Sequence, residues 1–160
     1  MEDEQYKILT EEWKKRDFNS PLKTPEEALI LASIIEKETG LSDERGIVAS
    51  VFINRLRKGM RLQTDPAVIY GLTKGRRVLG RGLKRSELIL DTPFNTYINS
   101  GLPPTPIANP GKLAIQAALN PFETKYLFFV ADGTGGHAFA EDLKTHNKNV
   151  FIWRSLNKNN

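Results

Sequence analysis

The chain contains no cysteine among its 160 residues. A disulfide framework and a thiolate metal site are therefore excluded, and the redox character of the compartment stays open. Histidine is scarce as well: only His137 and His146 are present, with Asp132, Glu141 and Asp142 close by in sequence. Neither the helical two-histidine spacing nor cysteine support for a metal centre exists, so no metal and no cofactor is expected. Gly-x-Ser-x-Gly, a Walker loop and a dinucleotide fingerprint are all missing. GRRVLGRG at 75–82 has the glycines and arginines of a phosphate loop, but it does not lead from a strand into a helix.

Long apolar runs are missing too. The longest, Ala28 to Ile35, is too short to span a bilayer, and the acidic start Met1 to Gln5 is not a signal peptide. Any anchor or export signal is expected in a further part of the parent protein, and this stretch by itself is expected to be soluble. At 39% hydrophobic and 26% charged residues the composition suits one globular domain long enough to bury a core. The net charge of +4 is unevenly spread. Between Arg55 and Arg85 stand ten basic residues against the single acid Asp65, which suits either an anionic partner or a solvated basic face.

The patterning predicts an α+β fold: several helices around a buried central one, plus a small antiparallel hairpin. Residues 1–23 read as an N-terminal helix and linker, with Tyr6, Leu9 and Trp13 on one stripe, and residues 24–160 as the globular unit. The central helix runs from Thr24 to Gly40. Thr24 and Glu27 form a capping box, Pro25 suits the first turn, and Gly40 offers a left-handed stop. A second helix starts at Ser42, buries Ile47, Val48, Val51, Phe52 and Leu56, and stops at Gly59. Pro66 opens a short helix to Tyr70 and Gly71, Thr73 to Arg85 reads as an exposed loop, and four prolines between Pro103 and Pro110 stiffen another loop. Asn109 and Pro110 are expected to cap a helix from Lys112 to Leu119. Tyr126–Ala131 and His137–Ala140 flank turn residues, and a last helix places Val150, Trp153 and Leu156 on one side.

The central helix is apolar nearly all round, yet it ends in Glu36 and Glu38, acids at the end of the helix where cations are preferred. Such a local conflict is expected at functional sites. At 100° per residue Glu36 shares a face with Leu29, Ala32 and Ser33, which predicts a hollow beside its carboxylate and a raised pKa suited to a general acid. Glu38 falls nearer Leu31, Ile34 and Ile35. It reads as a second carboxylate, a partner for Lys37 or Arg45, or a solvated residue. Gln63, Thr64 and Asp65 in one loop and Asn95 and Tyr97 in another supply amides, hydroxyls and a ring of the kind that bind sugars. The plain alternative makes Asn95 and Tyr97 turn and core residues, and His137 a packing residue of the hairpin.

Four ordered stretches resemble the YceG-like family of endolytic murein transglycosylases: LASIIEKETG, VASVFINRLRKGMRLQTDPAVIYG, NTYINSGLPPTPIANPG, and YLFFVADGTGGHAFA followed by His146 and Asn147. Phe94 stands where Tyr is common in that family, and Thr145 where Glu is common. The resemblance implies a bacterial cell-surface enzyme that cuts nascent peptidoglycan within the glycan strand. It implies Glu36 as acid and then base; Ser33, Glu38, Gln63, Thr64, Asp65, Asn95, Tyr97 and His137 are the residues expected to bind substrate around it. It also implies a parent anchored in the cytoplasmic membrane, acting on its outer side beside a peptidoglycan synthase, and no nucleic acid as partner. Within the enzyme class the rival reading is a hydrolytic muramidase using Glu36 and Asp65. Outside it, the rival is a basic module that binds nucleic acid or an acidic wall polymer through Arg55 to Arg85.

Overall fold

The structure, a computed structural model, describes residues 2–158. Among the described residues, six helices and one two-stranded antiparallel sheet give the expected α+β fold: α1 (Glu2–Lys14), α2 (Pro25–Glu38), α3 (Ser42–Lys58), α4 (Asp65–Thr73), α5 (Lys112–Leu119), β1 (Phe128–Ala131), β2 (His137–Ala140) and α6 (Leu143–Lys158).

Helix α2 is the central rod. Leu31, Ala32, Ser33, Ile34 and Ile35 have no exposed surface, because α1, α3, α4 and α5 all pack on it. Its start follows the capping residues: Thr24 Oγ1 accepts from the Glu27 amide, while Glu27 Oε2 accepts from the Lys23 amide, one residue before the usual partner of a capping box. Its end departs from expectation. Gly40 is not left-handed; the helix stops because Thr39 turns extended, with φ −145° and ψ 137°, and is buried while its hydroxyl accepts from the Leu41 amide.

Helix α3 is buried from Val48 to Ile53 rather than along one stripe, and Gly59 ends it in the left-handed conformation, φ 70°, as expected. Helix α4 runs on to Thr73, past the expected stop at Gly71, and closes on a left-handed Lys74. The N-cap of α5 is Gly111, not Asn109 or Pro110. The small residues Ala114, Ala117 and Ala118 let α5 approach α2 and α3 closely. On α1 the buried residues are Leu9 and Glu12. Tyr6 is exposed, and Glu12 is buried because its carboxylate accepts from Gln116 Nε2 of α5. Leu9 and Leu22 join the same core as α2.

The sheet pairs Phe128 with Ala140 and Ala131 with His137. Two of the carbonyls just before it are taken by α3: Asn54 Nδ2 donates to the Tyr126 oxygen at 2.9 Å and Arg55 Nε to the Leu127 oxygen at 2.7 Å. Arg55 is therefore no part of an exposed basic face. It is 6% exposed, and its guanidinium also donates to the Arg61 carbonyl and lies over the Phe128 ring. Arg81 pairs with Glu87 at 2.7 Å, so the basic stretch is divided among separate structural tasks.

Candidate active site

The last turn of α2 aims its two carboxylates in different directions. Glu36 Oε1 accepts from the amide of Gly111, the residue that caps α5, at 2.9 Å. An acid at the N-terminal end of a helix complements the exposed amides there. The hollow expected beside Ala32 and Ser33 is filled. Both residues are fully buried, and Ser33 Oγ donates to the Ile30 carbonyl and accepts from the Ile107 amide at 3.0 Å. Glu36 and Ser33 thus tie α2 to the segment before α5, and neither lines the cavity described next.

Glu38 sits where two hollows meet. One, of about 570 Å³, is lined by Gln63, Asp65, Tyr97, Phe128 and His146 besides Glu38. The other, of about 420 Å³, runs past Gly136 and Trp153. Glu38, Ala131 and His137 belong to both. Burial pushes the Glu38 carboxyl up from its ordinary value, and the charge of Asp65 adds to the rise; the Thr64 hydroxyl and His137 oppose it. Thr64 Oγ1 donates to Glu38 Oε1 at 2.7 Å.

The loop contributing Gln63 to Asp65 is held by a residue that the sequence did not single out. Thr96 accepts through its carbonyl from the Gln63 amide and through Oγ1 from the Thr64 amide, at 3.2 and 2.9 Å. Gln63 takes a left-handed backbone, φ 51°, uncommon for a residue with a side chain and found more often at functional sites. Thr64 is 1% exposed, so it supports Glu38 from behind rather than facing a ligand. Asn95 is equally buried: its Nδ2 donates to the carbonyls of Leu88 and Leu90, and its Oδ1 accepts from the Tyr97 amide. A sugar-facing role for Asn95 is incompatible with that placement. Its neighbour Tyr97 does reach the cavity, donating its hydroxyl to Asp65 Oδ1 at 2.5 Å. Burial first, then that bond and the nearby carboxylates, push the Tyr97 phenol far up, so it stays protonated and acts as a donor.

His137 is placed by Glu44 in the first turn of α3, a second residue that the sequence left unmarked. One Glu44 oxygen accepts from the His137 amide at 3.0 Å and the other lies 2.7 Å from Nδ1. A carboxylate on Nδ1 favours the proton there and leaves Nε2 for another partner. Gly136 makes the approach possible, since a Cβ at that position would lie 2.9 Å from Glu44 Oε2. Across the cavity His146 stacks on Phe128, with ring centroids 4.9 Å apart, and burial with the Arg55 charge pushes its pKa down. Among the described residues no group of three or more His, Asp or Glu side chains comes together to hold a metal ion.

Of the nine residues expected at the site, the structure brings together Glu38, Gln63, Asp65, Tyr97 and His137, with Thr64 behind them; Glu36, Ser33 and Asn95 serve the framework. The comparisons with known proteins agree in pointing to one family. The YceG-like family model matches residues 1–151. An endolytic murein transglycosylase of Bacillus subtilis (strain 168) is 48% identical over 121 residues, which is 75% of this chain and 32% of that protein. The endolytic murein transglycosylase of Streptococcus pneumoniae serotype 2 is 36% identical over 133 residues, 79% of this chain and 23% of that one. The chain thus spans a third or less of the length of these curated relatives. A crystal structure of a yceG-like protein from Listeria monocytogenes superposes with a TM-score of 0.74 at 40% identity, over 91% of this chain and 44% of that one. With a family model covering nearly its whole length, the chain belongs to the YceG-like family.

Proposed function

We propose that this chain cleaves peptidoglycan glycan strands as an endolytic lytic transglycosylase, with Glu38 as general acid and then general base. The observation that carries the reading is the position of Glu38: its carboxyl, biased toward the protonated form by burial, stands at the junction of two hollows. Hollows on either side of the acid leave room for sugar units on both sides of the scissile bond, as cleavage inside a strand requires.

In the first step the Glu38 proton passes to the glycosidic oxygen, the bond from that oxygen to the anomeric carbon breaks, and the released chain end leaves as an alcohol. The Glu38 carboxylate then takes the proton of the 6-hydroxyl of the same muramic acid, whose oxygen closes on the anomeric carbon to give a 1,6-anhydro end. Protons balance, no water is consumed, and one carboxyl group serves both steps. The Thr64 hydroxyl steadies the carboxylate after its proton has gone. Tyr97 is a hydrogen-bond donor already engaged by Asp65, and His137, clamped by Glu44, offers its second ring nitrogen to the same space. The bond to Tyr97 occupies an oxygen of Asp65, which favours a supporting role over that of nucleophile in a two-carboxylate hydrolysis.

The test is to incubate the protein with uncrosslinked glycan strands and weigh the products. Anhydro ends, one water lighter than hydrolytic ends, are expected. Glu38→Gln in a folded protein should lower the rate about a hundredfold to ten-thousandfold, whereas Glu36→Gln should retain most activity. Loss in Glu36→Gln with activity retained in Glu38→Gln at unchanged melting would reverse the assignment.

On the same reading the parent protein is anchored in the cell membrane and works on its outer side beside a peptidoglycan synthase. None of the described helices is long and apolar enough to cross a membrane, so the anchor belongs to another part of the parent. Crosslinking of the full-length protein in cells would recover a synthase if the pairing is correct and none if it is not.

A further inference from the structure

Of the concave features that the mechanism does not use, one borders the site itself. Lys37 and Pro66, the chain neighbours of Glu38 and Asp65, line a third cavity, of about 760 Å³, between α4, the loop 75–81 and the proline-rich loop. Four cations reach it, Lys37, Arg76, Arg77 and Arg81, and no carboxylate does. Arg81 is neutralised by Glu87. Among the described residues Lys37, Arg76 and Arg77 have no carboxylate within ion-pairing distance. Between the cations lie apolar side chains, Ile69 and Ile107 among them. Cations around an apolar floor suit a ligand that carries carboxylates on a short carbon frame.

We propose that this groove is a subsite for the carboxylate-bearing peptide branch of the glycan strand, with Arg76 and Arg77 as its carboxylate-binding residues. The inference rests on the glycan-cleaving reading above. Every muramic acid of such a strand bears its peptide as a side branch, which must leave the glycan groove close to the sugar being cut. Adjacent Cα atoms lie about 3.8 Å apart, so the wall holding Lys37 begins one residue from the acid. Pro66 follows Asp65 in the same way, so the groove adjoins the Glu38 cavity along two segments of chain. The concavity, bordered on one side by Ile107 and Asn109 from the proline-rich loop, suits an inserted branch better than a flat bilayer. Arginine is suited to the task because its planar fork binds a carboxylate through two hydrogen bonds.

Both arginines are exposed, so their replacement leaves the core intact. Binding is measured in a Glu38→Gln background, where strands are not consumed, using uncrosslinked strands that keep their peptides and strands stripped of them by an amidase. The unsubstituted groove should prefer peptide-bearing strands by about tenfold at low salt. Arg76→Ala with Arg77→Ala should abolish that preference and leave binding of stripped strands unchanged. Equal binding of the two batches before substitution, or equal weakening of both after it, would overturn the proposal. So would retention on vesicles containing phosphatidylglycerol that depends on the two arginines while the strand preference does not, which would assign the groove to a membrane surface. If the unsubstituted enzyme cleaved neither batch, the glycan-cleaving reading alone would fail, because the preference is read without turnover.

Discussion

Glu36 and Glu38 leave the same helical turn about 200° apart, so the partners that meet each side chain decide its chemistry. Glu36 meets an amide at the end of α5, and Glu38 meets a buried hydroxyl, a second carboxylate and a cavity. The Thr64 hydroxyl stabilises the ionised form of Glu38 and so holds its pKa below the value that burial alone would produce. Thr64→Val keeps the shape and removes that bond. If Glu38 is the acid, the high-pH limb of the kcat/KM profile should move to higher pH in this variant; a limb that stays in place would detach Thr64 from the catalytic carboxyl. The sequence offered both glutamates on equal chemical terms. Small neighbours at Ala32 and Ser33 pointed to Glu36, but the segment 107–111 occupies the space that those small side chains leave.

Among the elements, α2 and α3 each precede a glycine, and the two glycines differ. Gly59 is left-handed, and a Cβ added there would meet nothing within 4 Å, so the cost of substitution is purely conformational. Gly40 has an ordinary backbone and equally open surroundings. Gly59→Ala should therefore destabilise the fold by about 1 to 2 kcal/mol, and Gly40→Ala should be close to neutral, both read as shifts of the urea midpoint at constant slope. Equal effects would show that the ends of α2 and α3 are governed by something other than these backbone angles. The starts at Pro25, Ser42 and Lys112, the hairpin and the stop at Gly59 were legible because first-turn residues, turn residues and periodicity act within a few residues, although the cap expected for α5 is not the one used. The stop of α2 was not legible: it depends on burial of Thr39, which other parts of the chain impose.

For the whole molecule, the raised Glu38 carboxyl makes stability depend on pH. In the interval between its usual 4.5 and its higher folded value, the folded chain holds a proton that the unfolded chain has released. Stability from this group accordingly falls as pH rises through that interval and is level above it. Glu38→Gln removes the loss. Its advantage over the unsubstituted protein should be absent below pH 4.5 and grow above it, measured by urea unfolding at a series of pH values. An advantage independent of pH would show that the carboxyl is not held in its protonated form.

By itself the sequence determined the α+β composition, the buried rod of α2, the turn of the hairpin and the short list of polar residues from which a site could be built. Each of these follows from periodicity, capping and turn chemistry, forces that act over a few residues along the chain. Tertiary structure alone decided which members of that list meet. Thr96 brings the 63–65 segment beside its own loop, and Glu44 carries His137 to the end of α2. Burial turned Ser33, Asn95 and Arg55 into framework. The physical reason is that burial, desolvation and hydrogen-bond partners come from residues far apart in sequence. The choice of Glu38 over Glu36 exists only once the chain has closed around the last turn of α2.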